Sequence, residues 1–373
     1  MRIGILSLPL YINYGGILQT YALQTVLEKM GHEVTFIQKR NWPLKLKVQD
    51  MPLTYAKRIV RNLIDQHIPI LYEKIYNREA PIIRQNIEPF ILNNIKMKVV
   101  DDYCQILENE FDTIIVGSDQ IWRHLYVKHI EGSFLDFAKG WNIKRIAYAV
   151  SFGTDHWEYS KRQSKRCRKL ALLFNDISVR EDSGVELCKR HLGIEAKHVL
   201  DPTMLLDNCD YIKLFKKKNT PKSPGNLLCY ILDESDDKLN VINAISEKKH
   251  LKPFKVNARP EYRYDIPVEE RVQPSVEQWL RGFYDADFVI TDSFHACVFS
   301  ILFRKPFIVY GNKNRGLSRF TSLLKMFGLQ DRIINNSSDM EYIALKEIDW
   351  DNVISSLYTL RKESIDFIQL ALD

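Results

Sequence analysis

A chain of 373 residues is long for a single hydrophobic core, and two α/β domains are the natural reading. Its 53 lysines and arginines against 47 aspartates and glutamates leave a net charge of +6, spread along the chain with no aromatic interleaving, which argues against a nucleic-acid partner. The six cysteines are far apart and never in C-x-x-C spacing, so neither a zinc knuckle nor a redox pair is suggested, and no apolar run approaches the ~18 residues of a membrane span.

Ile3 to Leu8 is an apolar run of the buried-strand type. After Tyr11, Asn13, Tyr14, Gly15 and Gly16 comes a helix over 17–30, with Leu23, Val26, Leu27 and Met30 at helical spacing and Gly31 as its terminator. Glu33 to Gln38 is a second strand, so the chain opens βαβ with a glycine-containing first turn. That turn reads N-Y-G-G rather than G-x-G-x-x-G, which argues against a dinucleotide site. Asn13, Tyr14, Gly15, Gly16 and Gln19 are either ligand contacts or what a tight turn and close packing require. Residues 41–100 depart from the pattern. They are rich in Lys, Arg, Asn and Ile, with helical spacing over 55–68 and 82–95, and read as a helical insertion able to line an acceptor groove.

Alternation returns with a strand over 111–116 that runs into Gly117, Ser118, Asp119, Gln120, Ile121 and Trp122. Polar groups at the carboxyl end of a parallel strand face the ligand crevice. Asp119 is there as a base, as an acceptor for a sugar hydroxyl, or as a helix cap; Gln120 and Trp122 suit a sugar. Further strands over 144–150, 176–179 and 198–200 are separated by the basic helix 161–169. The first runs on to His156. The second ends in Arg180, a carboxylate or phosphate clamp or else an ion-pair partner of Glu181 or Asp182. Asp201, Pro202 and Thr203 close a first domain of residues 1–205. The Lys/Pro/Gly-rich stretch KKKNTPKSPGN is the linker to a second domain, 206–350. Residues 351–373 form an amphipathic helix that packs back across the first domain.

The stretch 286–310, ADFVITDSFHACVFSILFRKPFIVY, is the most informative. A strand at 288–290 breaks at Thr291, Asp292 and Ser293, a helix runs over 294–303, and a strand follows at 306–310, the pattern of a parallel βαβ unit. It puts the imidazole of His295 beside a helix N-terminus, where backbone N–H groups favour an anion. After the last strand, Arg315, Ser318 and Arg319 are candidates for phosphate or carboxylate contacts.

The pieces NYGGILQTYAL (13–23), DTIIVGSDQIWR (112–123), AYAVSFGT (147–154), ISVREDSG (177–184), VLDPTML (199–205), ADFVITDSFHACVFSILFRKPF (286–307) and GLSRF (316–320), in this order, resemble the polysaccharide pyruvyl transferase family. The resemblance implies a fold like the GT-B glycosyltransferases, two Rossmann-like domains facing across a cleft. It also implies a cytoplasmic enzyme that transfers pyruvate from phosphoenolpyruvate, as a ketal, to two hydroxyls of a surface glycan or its lipid-linked precursor. Peripheral association with the inner membrane face fits that task. On this reading His295 is the general acid/base and Asp119 orients or deprotonates an acceptor hydroxyl. Arg180, Ser293, Phe294, Arg315, Ser318 and Arg319 surround the donor. Asn13, Tyr14, Gly15, Gly16, Gln19, Gln120, Trp122 and His156 surround the acceptor. No step of that chemistry requires a metal or a further cofactor. Better known members have R-L-H where this chain has Ser293, Phe294, His295, so the missing charge would come from Lys313, Arg315 or Arg319. The rivals are a nucleotide-sugar glycosyltransferase of the same fold, using Asp233 or Glu234 for the ribose, and a glycan-binding relative without catalysis.

Overall fold

The computed structural model describes residues 1–62, 69–311, 317–340 and 346–373. Its first sheet takes β1 (Arg2–Leu6), β2 (Glu33–Lys39), β3 (Met97–Val100), β4 (Thr113–Val116), β5 (Lys144–Val150), β6 (Asp176–Val179) and β7 (Lys197–His198). They are all parallel, in the order β3-β2-β1-β4-β5-β6-β7. The second sheet takes β8 (Leu227–Tyr230), β9 (Pro253–Phe254), β10 (Phe288–Thr291), β11 (Phe307–Tyr310) and β12 (Ile333–Ile334), again all parallel, in the order β12-β11-β10-β8-β9. These are two Rossmann-like units facing a cleft, the GT-B-like arrangement expected from the sequence.

Strands buried on both faces must be apolar throughout, and they are: Ile3 and Ile5 of β1, Ile114 and Val116 of β4, and Val289 and Ile290 of β10 are at most 1% exposed. The helices are α1 (Tyr14–Lys29), α2 (Met51–Asn62), α3 (Tyr72–Ile83), α4 (Glu88–Asn94), α5 (Lys161–Ala171), α6 (Asp182–Leu187), α7 (Asn208–Lys217), α8 (Asp236–Lys249), α9 (Val276–Asp285), α10 (Phe294–Leu302) and α11 (Leu317–Met326). Every residue of α10 is buried, as its composition FHACVFSIL demands, because a helix apolar all round has no face to offer water. The final helix, Trp350–Leu372, returns to the first unit: Arg361 donates to the carbonyls of Met204 and Leu206, and Ser364 accepts from the Leu200 N–H.

Two expectations need correcting. The segment 41–100 is not wholly a helical insertion. Its end, Met97–Val100, pairs with β2 as the edge strand β3, and only Val100 of it is buried, so it lacks the alternation that marks a strand. Its helices are shifted too, to 51–62, 72–83 and 88–94, while residues 63–68 of the expected first helix lie outside the described residues. The presumed linker is likewise shorter, because α7 occupies its start, anchored by the buried Tyr211 and Phe215.

The insertion is tied to the second unit. Arg271 donates to Glu79 on α3 at 2.7 Å, and the Gln273 N–H donates to the Ile83 carbonyl. One continuous apolar cluster contains Ile17, Leu18, Met204 and Leu205 together with Trp279, Phe283 and Phe299. Tyr14 stacks on Trp279 with ring centroids 5.5 Å apart, and its hydroxyl donates to the Pro274 carbonyl. Among the described residues no helix is long and apolar enough to cross a membrane.

Candidate active site

In each sheet the strand order reverses at one point, between β1 and β4 in the first and between β8 and β10 in the second. Loops leaving the carboxyl ends at such a point diverge and open a crevice. Here the two crevices face each other and enclose a cleft of about 380 Å³. Asn13 enters it from the end of the β1 loop with Tyr14 and Gly15 of α1, Asp119 and Gln120 from the β4 loop, Ser293 from the end of the β10 loop with Phe294 and His295 of α10, and Arg319 and Phe320 from α11.

His295 sits against the backbone of the first domain. A Cβ on Gly15 would lie 2.0 Å from His295 Nδ1 and 2.3 Å from Cγ, so only glycine lets the two domains meet there. Its other nitrogen, Nε2, is 3.6 Å from Asp201 Oδ2. Asp201 is buried and fully engaged: Oδ2 accepts from Arg180 Nη1 at 2.8 Å and from Gln19 Nε2 at 2.5 Å, and Oδ1 accepts from the N–H and hydroxyl of Thr203. Burial alone would raise its pKa; His295, Arg180 and Thr203 outweigh that and hold it well below the ordinary carboxylate range. Arg180 also lies 3.6 Å from Asp119, whose other oxygen is 3.4 Å from Asn13 Nδ2. His295, Asp201, Arg180 and Asp119 thus form one chain of charged contacts, His295 and Asp119 at the cleft wall and Asp201 and Arg180 behind it. Gly15→Ala is expected to push the imidazole out of this chain, lowering turnover by about 100-fold. Measured together with His295→Ala it should cost nothing further, since both act through the same ring.

Phe294 is within reach of two guanidinium groups, that of Arg180 4.5 Å from the ring centroid and that of Arg319 5.6 Å from it. A ring faces cations favourably, which helps two like charges sit close together. Burial, and then the charge of Arg180, lowers the Arg319 pKa to about 10, against the opposing charges of Glu181 and Asp119. At the start of α10 the Ser293 side chain makes no capping hydrogen bond.

Several expected site residues are placed elsewhere. Arg180 does not line the cleft: its side chain is 2% exposed and engaged by two carboxylates, so any influence on a donor passes through them. Trp122 is fully buried, stacked on Phe134 at 4.4 Å with its indole N–H donating to the Ser133 carbonyl, and offers no face to a sugar. His156 has a 73% exposed side chain beside Asp155 and is outside the cleft. Gln19 points inward to Asp201 and Ser118, and Gly16 packs under Asn13 and Asp119. Ser318, half-buried on α11, does not line the cleft, and Arg315 lies outside the described residues. Asp292 is a structural group: it accepts from the N–H groups of Leu232 and Asp233 and pairs with Lys238 at 2.7 Å.

The cleft also has members that the sequence reading passed over: Tyr126, Tyr230, Asn257, Glu261, Tyr262 and Trp279. Asn257, Glu261 and Tyr262 lie on the long irregular connection between β9 and α9. Its length is the signal that could have found them, because connections of this size without regular structure are commonly functional. Burial raises the Glu261 pKa, against the opposing effects of the Tyr11 hydroxyl and Arg271. The result is a cleft with a cationic patch at Arg319, a histidine–carboxylate pair, and a carboxyl- and tyrosine-rich far wall.

A family model described as polysaccharide pyruvyl transferase matches residues 13–314 of the chain. No curated protein matches it. Among solved structures it is similar to UDP-GlcNAc 2-epimerase from Neisseria meningitidis, with TM-score 0.46 and 10% identity over 100% of this chain and 94% of that one. It is similar also to MurG of Acinetobacter baumannii, with TM-score 0.45 and 9% identity over 99% of each chain. The N-terminal domain of Candida albicans trehalose-6-phosphate phosphatase gives TM-score 0.49 and 13% identity over 100% of this chain and 96% of that one.

Proposed function

The chain belongs to the polysaccharide pyruvyl transferase family, and on that premise we propose that it moves the pyruvate unit of phosphoenolpyruvate, as a ketal, onto two hydroxyls of a sugar. That sugar belongs to a surface polysaccharide or to its lipid-linked precursor. The observation that carries the reading is the buried guanidinium of Arg319 in the same cleft as the His295–Asp201 pair. Phosphoenolpyruvate brings a carboxylate and a phosphate, and a guanidinium at the cleft wall can meet either. Arg319 therefore supplies the charge that Ser293 does not, and the first turn of α10 adds backbone donors.

The steps follow from the chemistry of the donor. His295 delivers a proton to the methylene carbon, which becomes the methyl group and leaves C2 electrophilic. The first hydroxyl adds to C2 as Asp119 takes its proton. The C2–O bond to phosphate then breaks and inorganic phosphate departs. The second hydroxyl adds to C2 and closes the ketal. In total one hydroxyl proton is transferred to the methyl group and the other to phosphate. Asp201 orients the imidazole throughout, and Arg180 acts by holding Asp201 and Asp119 in place. Asn13, Gly15 and Gln120 lie on the acceptor side.

Phosphoenolpyruvate at ~100 times its dissociation constant is expected to stabilise the protein by roughly 2.7 kcal/mol, visible as a rise in Tm. Arg319→Gln should abolish the rise. A rise with one nucleotide sugar and none with phosphoenolpyruvate would overturn the reading in favour of a glycosyltransferase.

A further inference from the structure

Helix α2 is attached to the protein by its polar side. Met51, Thr54, Tyr55 and Arg58 face inward and are partly buried. Arg58 is clamped by both oxygens of Glu73 on α3, at 2.8 and 2.6 Å, and donates to the Ile70 carbonyl. At 100° per residue, Pro52, Leu53, Ala56, Ile59 and Val60 then fall on one continuous arc on the opposite side. That arc is open: Leu53 is 63% exposed, Val60 55% and Ile59 47%. Val48, just before the helix, is 79% exposed. A helix on a soluble domain ordinarily does the reverse, with its apolar stripe toward the core.

The charge around this arc is one-sided. Lys57 and Arg61 follow one edge of it along the helix, and Lys45 and Lys47 precede it, all exposed, with Asp50 the exposed acid among them. We propose that this face docks on an anionic lipid bilayer, Leu53, Ile59 and Val60 entering the headgroup boundary and the four cations meeting lipid phosphates. A second copy is a poor occupant, because a two-fold interface would bring the same cations of both copies together. The proposal does not depend on the donor or the acceptor.

The test is flotation of the whole chain with phosphatidylcholine vesicles, with and without phosphatidylglycerol. Binding is expected to the anionic vesicles and to weaken as salt is raised. Leu53→Glu combined with Val60→Glu should weaken it at least about tenfold, and Lys57→Glu or Arg61→Glu about fivefold each. The substituted positions are exposed, so an unchanged Tm shows that each variant is folded. Failure of the wild-type chain to float with anionic vesicles would overturn the proposal, and so would undiminished binding by the Leu53/Val60 variant. Self-association of the wild type that these substitutions abolish would assign the face to a second copy instead.

Discussion

His295→Ala is expected to lower pyruvyl transfer by about 10²–10⁴-fold while leaving the rise in Tm on adding phosphoenolpyruvate largely intact. The ring has one nitrogen against the Gly15 backbone and the other 3.6 Å from Asp201, so its role is to move a proton at a fixed position rather than to hold the donor's charge. Arg319→Gln should show the opposite pattern, with donor stabilisation lost first. Phosphate release from phosphoenolpyruvate in the presence of acceptor glycan measures the first effect, and a thermal melt with donor alone measures the second. If His295→Ala keeps full turnover, the imidazole is only packing at a helix start and the acid/base assignment fails.

Asp201→Ala is expected to destabilise the fold by about 3–5 kcal/mol, because it strands the buried guanidinium of Arg180 beside the orphaned amide of Gln19. Urea unfolding reads this directly. Pairing Asp201→Leu with Arg180→Met should recover much of the loss, since a well-packed apolar pair replaces an ion pair that was costly to desolvate. Turnover should stay low in the double variant, as His295 would still lack its carboxylate. The pH dependence has a definite sign. The folded-state pKa of Asp201 is depressed, so its contribution is complete above the ordinary carboxylate value of about 4 and is lost as pH falls below it. The acid limb of the stability curve should therefore flatten in Asp201→Ala. An unfolding midpoint within error of wild type would refute this account of the cluster.

Much of the fold was legible because buried parallel strands leave unmistakable runs: KRIAYAV and DISV fall where β5 and β6 lie, and FVIT followed by FHACVFSIL is β10 and α10. The edge strand β3 was not, because one side of it faces solvent and nothing in MKVV repeats. In the site, strand-end logic named Asp119 and His295 as polar groups at crevice positions, and both line the cleft. The same logic could not tell which strand-end residues face the ligand and which face inward. Arg180 and Gln19 are polar for the sake of Asp201, 182 positions from Gln19 in sequence, and that partnership exists only after folding. Trp122 shows the matching error for an aromatic: indole suits a sugar or a core equally, and here Phe134 claims it. The contribution of Tyr126 and Tyr262 to the cleft was hidden because each sits in a segment whose local pattern carries no periodic signal, and that of Tyr230 because at the end of β8 it reads as one more apolar strand residue.

The apolar cluster that runs from α1 through Met204 to Trp279 and Phe299 has a consequence for how the molecule comes apart. Two sheets joined by a flexible tether would melt as two units, each with its own midpoint. Here the stacked Tyr14–Trp279 pair and the Glu79–Arg271 bridge are lost if either half opens, so the unfolding of one removes much of the support of the other. The chain is therefore expected to melt in one transition, with a lesion anywhere along that seam lowering the stability of both halves together; two separate calorimetric transitions would refute this.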